Sequence, residues 1–437
     1  MVFVGFLEIL SFLLGFVIFY REVFSLKFKN YVPAVFILLY FPLFCVTPIM
    51  YHFIIGGAIT INPGYENLIF KNPNIYAVYH LYNITFLLCF FFISKYLEKN
   101  NQIINSFSVE LSQIQNIFLF IFLLIGVSLY VYSTGLSISE LLIADRFSWF
   151  LNSNYSSFNS VVASYFISLS PLVVYLYIIN KKYFYLILTI LLLIGYGILS
   201  KDRKWLIFLL SGVLGAMYYK NGFKIILKKK IIFWSSFCGL ILVFWQVFRD
   251  VLFTELLTGR GDFLYHSKEM AKRLALKGDL PYYYFSSITA IKMNMIDGFE
   301  IPFGIIRRQL FFFLPVDYSL GLKIKDISAI FSDALNAGDQ IRSGNMPPGF
   351  IGLFVLSFKW WLGQFIYVIV PFFLYYVNKI ARKNTKILQP VILSNCFSFF
   401  ILLLRGDDSS ATYFFIFNLI IFIFLKPFYF KKNYLTK

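Results

Sequence analysis

Residues 183–219 read YFYLILTILLLIGYGILSKDRKWLIFLLSGVLGAMYY. Two uncharged runs, 183–199 and 205–219, are hinged on Ser200, Lys201, Asp202, Arg203 and Lys204. A helix rises about 1.5 Å per residue and a bilayer core is about 30 Å thick, so roughly 20 mostly apolar residues cross it. The stretch predicts two membrane helices joined by a hairpin lying at the membrane surface.

The same signature recurs at 2–20, 32–51, 76–94, 115–132, 159–179, 231–248, 361–378, 387–404 and 412–428, which makes eleven expected spans. Composition agrees: 59% of the 437 residues are hydrophobic and 14% charged, with 56 Phe and 31 Tyr. Soluble chains run about 45–50% apolar and about 25% charged, so a water-soluble globule, a disordered chain, a coiled coil and a secreted miniprotein are all excluded. Residues 2–20 lack a basic leader and a small-residue cleavage site, and read as a first span rather than a signal peptide. Cys45, Cys89, Cys238 and Cys396 lie in separate apolar runs with no Cys-x-x-Cys pair, which argues against disulfides and zinc. No linker or tandem repeat interrupts the chain, so residues 1–437 are expected to form one all-α polytopic membrane domain.

The net charge of +18 suggests nucleic acid until its distribution is read. In alternate short loops, Lys and Arg collect on one side: Arg21 to Lys29, Lys95 and Lys99, Lys181 and Lys182, Lys220 to Lys230, Lys379 to Lys386, and Lys426 to Lys437. Short cytoplasmic loops carry such an excess. The basicity is therefore a topology signal, leaving no case for nucleic acid; it sets the N-terminus outside, the C-terminus inside, and 249–348 as one large external loop. Within that loop 267–277 and 324–335 look helical, and 305–314 is a short apolar element opening near Arg307 and Arg308. The run 346–377 is too long for one span. Lys359, Trp360 and Trp361 form an interfacial belt in its middle, so 346–358 is expected on or dipping into the external face, with the span starting near Trp361.

Two hairpins break the charge rule. Lys201, Arg203 and Lys204 fall on the external side, either because a span is miscounted or because they form an anion site, for which the planar fork of Arg is suited. Arg405, Gly406, Asp407 and Asp408 join the last two spans, also externally, and a structural pairing of Arg405 with either Asp is the plain alternative. The large loop adds Arg260 and Asp262 within a glycine-flanked Gly-Arg-Gly-Asp, His266, Arg307, Arg308 and Arg342. His52 and His80 sit near span ends, where packing explains them. Glu8 is formally intramembrane, a position that usually marks function, though near a helix end it can snorkel. No metal-ligand spacing and no glycine-rich phosphate loop occurs.

Ser343-Gly-Asn-Met-Pro-Pro-Gly-Phe-Ile-Gly352, Arg203 within Ser200-Lys-Asp-Arg, and Arg405 within Arg-Gly-Asp, taken with the late external loop, resemble the O-antigen polymerase (Wzy) family. Relatives often carry a carboxylate after the final glycine of that first motif; here Leu353 and Phe354 follow. The resemblance implies a GT-C-like membrane glycosyltransferase of the bacterial inner membrane. It would polymerise oligosaccharide repeat units carried on undecaprenyl diphosphate at the periplasmic face, without cofactor or metal and alongside a chain-length regulator. For that chemistry Arg203 and Arg405, which match the family motifs, and Arg260, Arg308 and Arg342 of the large loop are expected on diphosphate, with Asp262 or His266 as base. An O-antigen ligase shares this architecture. A polysaccharide flippase instead calls for charge within the spans and short loops on both sides.

Overall fold

The computed structural model of the chain describes residues 2–26, 30–50, 73–98, 111–143, 156–221, 279–310, 327–335, 347–382 and 388–429. Among them every regular element is helical. Eight helices among the described residues are long and apolar enough to cross a membrane: Phe3–Ser25, Tyr31–Ile49, Pro73–Tyr96, Gln113–Thr134, Phe158–Ile179, Tyr183–Ser200, Trp360–Ala381 and Leu388–Arg405. The protein is an all-α polytopic membrane protein. The expected spans at 205–219 and 412–428 coincide with shorter apolar helices, Lys204–Tyr219 and Ser410–Phe424; that at 231–248 lies outside the described residues. Cys45, Cys89 and Cys396 are free thiols.

The chain divides into two compact units. The first comprises Met1–Ile103, Leu276–Lys379 and Phe399–Tyr413, the second Ile104–Ala275, Ile380–Ser398 and Phe414–Lys437.

At the centre of the first unit runs the Tyr31–Tyr40 helix, continued by a π-helical turn, Phe41–Val46. Pro48 has no N–H to offer the Phe44 carbonyl four residues back. That carbonyl accepts from the Tyr79 hydroxyl at 3.1 Å and from Asn83 Nδ2 at 3.2 Å. The Tyr40 hydroxyl donates to Asn83 and lies 2.9 Å from the Tyr367 hydroxyl. Backbone and side-chain polar groups away from water must be satisfied internally, and this seam does so across three helices.

The Asp279–Met295 helix was not expected inside the external loop. It is buried, with Tyr284, Ser287, Ala290 and Ile291 fully enclosed, and it packs along the Gly349–Phe358 helix. The latter is the helix expected on or dipping into the external face, and protein encloses it. Phe350, Ile351, Leu353, Val355 and Leu356 are all buried in the unit, because GFIGLFVLSF is apolar on every side and a surface helix needs a polar one. Lys359 ends this helix at φ 63° and Trp360–Tyr367 begins beyond it, so the expected break is present. The N–H groups of Ile301 and Phe303 reach the carbonyls of Leu356 and Ser357, both at 2.8 Å, satisfying acceptors that a helix end leaves open. The Gly304–Leu310 and Ile327–Leu335 helices stand where 305–314 and 324–335 were expected. Ile301, Ile327, Phe331, Leu353 and Leu356 share one core.

In the second unit, the Gln113–Thr134 helix opens on a capping box between Ser112 and Gln115 and closes on left-handed Gly135. Small residues let the backbones approach, as in other membrane helix pairs. The Ser211 hydroxyl donates to the Ser394 carbonyl at 2.6 Å and accepts from the Ser398 N–H at 3.1 Å. Gly197 seats the Trp205 indole so closely that no Cβ fits between them.

Candidate functional site

The Arg405-Gly406-Asp407 turn lies in the first unit, and its residues are dictated by helix-end chemistry. The Gly406 N–H bonds the Leu403 carbonyl at 2.9 Å and the Asp407 N–H bonds the Leu402 carbonyl at 3.0 Å. With Gly406 at φ 92°, this is a Schellman C-cap, which favours glycine. Arg405, half-buried, is the C-cap residue, where a cation complements the helix dipole. Asp407 caps the next helix, Asp408–Tyr429: its Oδ1 accepts from the Ser410 N–H at 3.2 Å. A cap on the following helix is therefore the role the structure gives Asp407.

This turn lies against Gly349, which follows Pro347 and Pro348. A Cβ on Gly406 would stand 2.7 Å from the Gly349 nitrogen. On its other side Gly349, at φ 72°, abuts Ser287, and a Cβ there would lie 3.3 Å from Ser286 Oγ. Two segments more than fifty residues apart in sequence thus meet backbone to backbone, cradled by the Asp279–Met295 helix. The Ser328 hydroxyl, on the Ile327–Leu335 helix, donates to the Gly406 carbonyl at 3.1 Å.

Arg308 belongs to the same neighbourhood. It is buried, at 9% exposure, and its guanidinium carbon lies 5.8 Å from the centre of the Tyr413 ring, within cation–π range. Tyr413 stands early in the helix that Asp407 caps. The half-buried Arg405 and two serine hydroxyls, Ser286 and Ser328, thus occur around one backbone contact, and the buried Arg308 stands at Tyr413 on the helix that Asp407 caps. Such a set suits an anion with several oxygens.

Arg203 belongs to the second unit. Lys201, at φ 53°, ends the Tyr183–Ser200 helix, and Asp202 Oδ1 accepts the Lys204 N–H at 3.3 Å while Oδ2 pairs with Lys204 Nζ at 3.8 Å. Arg203 is half-buried but Lys201 is only 3% exposed, so the most enclosed cation of the hairpin is Lys201, read from sequence as part of a possible anion site but not among the residues expected on diphosphate. Beside Leu199 opens a cavity of about 960 Å³, lined also by Val127, Ser128, Tyr132, Ser156 and Asn159. Near it Ser137 caps a short helix, its hydroxyl accepting from the Glu140 N–H at 3.3 Å, and the Ser137 hydroxyl and N–H hold the Glu140 carboxyl below the usual range.

Asp262, His266, Arg260 and Arg342 lie outside the described residues, as does His52. His80 is buried edge-on to Tyr79. Glu8 does not snorkel: it is 2% exposed, because its helix face turns into the unit. Burial pushes the Tyr284 phenol well above its ordinary value. Among the described residues no three His, Cys, Asp or Glu side chains gather as a metal site requires. Ser328, Tyr413 and Ser286 carry no motif, and only folding identifies them. No family model, no curated protein and no solved structure matches the chain.

Proposed function

We propose that this protein is a membrane glycosyltransferase of the O-antigen polymerase type, joining oligosaccharide repeat units carried on undecaprenyl diphosphate at the periplasmic face of the bacterial inner membrane. The observation that carries the reading is the contact between Gly406 and Gly349. It brings together two segments whose resemblance to that family was visible only as separate motifs. Eleven spans, a GT-C-like arrangement, a periplasmic N-terminus and a cytoplasmic C-terminus belong to the same proposal.

In the reaction an acceptor hydroxyl attacks the anomeric carbon of the donor chain. The new C–O bond forms as the bond to lipid diphosphate breaks, the electron pair leaves on the diphosphate, and the hydroxyl proton passes to a base, for which Asp262 and His266 are the candidates. Negative charge grows on the leaving group. Arg308 and Arg405, in the first unit, are proposed to meet it; Arg203, Arg260 and Arg342 are the further candidates from sequence. Each preorganised donor aimed at such charge is worth roughly 2.7–4 kcal/mol. The partners are lipid-linked oligosaccharides, membrane lipids and a chain-length regulator.

The test is the surface glycan of a strain lacking the protein. A cap of a single repeat unit is the expected result. Loss of the whole cap points to a ligase or flippase and overturns the reading.

A further inference from the structure

Nothing in the sequence singles out Ser328, yet its hydroxyl holds the one turn on which Arg405 depends. The Gly406 carbonyl lies between two helices, after the C-cap of one and before Asp407, the N-cap of the next. Ser328 donates to it at 3.1 Å and is itself 1% exposed. Its helix is not free to drift: Ile327 and Phe331 are fully buried in a core with Ile301, Leu353 and Leu356. The position of Gly304, where a Cβ would lie 3.2 Å from Ile327 Cδ1 and 3.1 Å from Ser357 Oγ, closes that core from the other side. We propose that Ser328 is a positioning residue, fixing the plane of the Gly406–Asp407 peptide and through it the direction in which Arg405 leaves the helix end.

The proposal rests on the assignment of Arg405 to the departing diphosphate. A guanidinium acts on charge only where it is already aimed, and small misplacements of an aimed group are expensive in rate. Removing the hydroxyl leaves the carbonyl without that donor and the turn free to rock about Gly406, whose φ of 92° is held by no side chain of its own. The interaction is made for the transition state, so its loss lowers kcat more than it raises KM.

The experiment uses the full-length protein in lipid nanodiscs with undecaprenyl-diphosphate-linked repeat units, alongside hydrogen exchange of the same preparations. For Ser328→Ala, kcat falls about tenfold or more with KM nearly unchanged, exchange at the Gly406 and Asp407 amides rises, and the quantity of folded protein stays at the wild-type level. Ser328→Thr, which keeps a hydroxyl, restores both kcat and protection. Unchanged exchange at Gly406 and Asp407 in Ser328→Ala overturns the positioning role whatever the activity. So does wild-type kcat in that variant, or a loss of rate explained by less folded protein. Wild-type protein that transfers no sugar sinks the glycosyltransferase reading, and the exchange measurement then decides the role of Ser328 by itself.

Discussion

Gly406 and Gly349 touch through their backbones, and a Cβ on the first would lie 2.7 Å from the nitrogen and 3.1 Å from the oxygen of the second. Gly406→Ala therefore carries two costs. One is the left-handed backbone, about 1–2 kcal/mol for an L-residue; the other is displacement of Gly349. Gly298 supplies the control, since it too has positive φ, at 66°, but nothing lies within 4 Å of its Cβ position. Thermal unfolding in detergent should show Gly406→Ala clearly less stable than Gly298→Ala. Equal midpoints would mean that the apposition is looser than described.

Asp407 is accounted for by capping. Asp407→Ala should cost about 0.5–2 kcal/mol while Asp407→Ser or Asp407→Asn loses little, because all three polar side chains accept the Ser410 N–H. Chelation gives the complementary test. Sugar transfer should continue in excess EDTA; activity that vanishes and returns with magnesium would make Asp407 a ligand and displace the arginine mechanism.

The Tyr413 ring supports the Arg308 guanidinium from a distance of 5.8 Å. Tyr413→Phe keeps the π face and should retain more transfer activity than Tyr413→Leu, which removes a contact worth about 0.5–2 kcal/mol. The ratio of the two initial rates, each normalised to folded protein, is the measurement; equal rates would deny the ring any part in holding Arg308.

Arg203 and Arg405 are each proposed to fork onto phosphate oxygens. Lysine preserves charge but not the fork, so Arg203→Lys and Arg405→Lys should each shorten the glycan strongly while the protein accumulates normally. Chain length at the wild-type value in both would remove the clamp.

Orientation is tested by reporter fusions. Those placed after Lys230 and Lys386 should score cytoplasmic and one after Gly278 periplasmic, as the distribution of Lys and Arg in short loops requires. An external signal at Lys230 would invert every assignment of sidedness.

Apolar runs determine a membrane helix by themselves, since about 20 residues without charge have no alternative but lipid or protein surroundings, and eight of the expected spans were legible for that reason. Turn chemistry is equally local: Gly406 and Asp407 bond residues three to five positions away. What faces what is not local. Phe3–Ser25 and Tyr31–Ile49 are both strongly apolar, yet 33% of one and 72% of the other is buried, because lipid and protein interior select the same side chains. The Asp279–Met295 helix escaped notice for the converse reason: its serines and tyrosines look like an aqueous loop until Gly349 and Gly352 let another helix lie against it. The candidate site divides in the same way. Arg203 and Arg405 stand out in the sequence as cations at unusual places, whereas Ser328 and Tyr413 gain meaning only from contacts to Gly406 and Arg308 across 78 and 105 residues of chain, and such pairings are chosen by packing, not by composition.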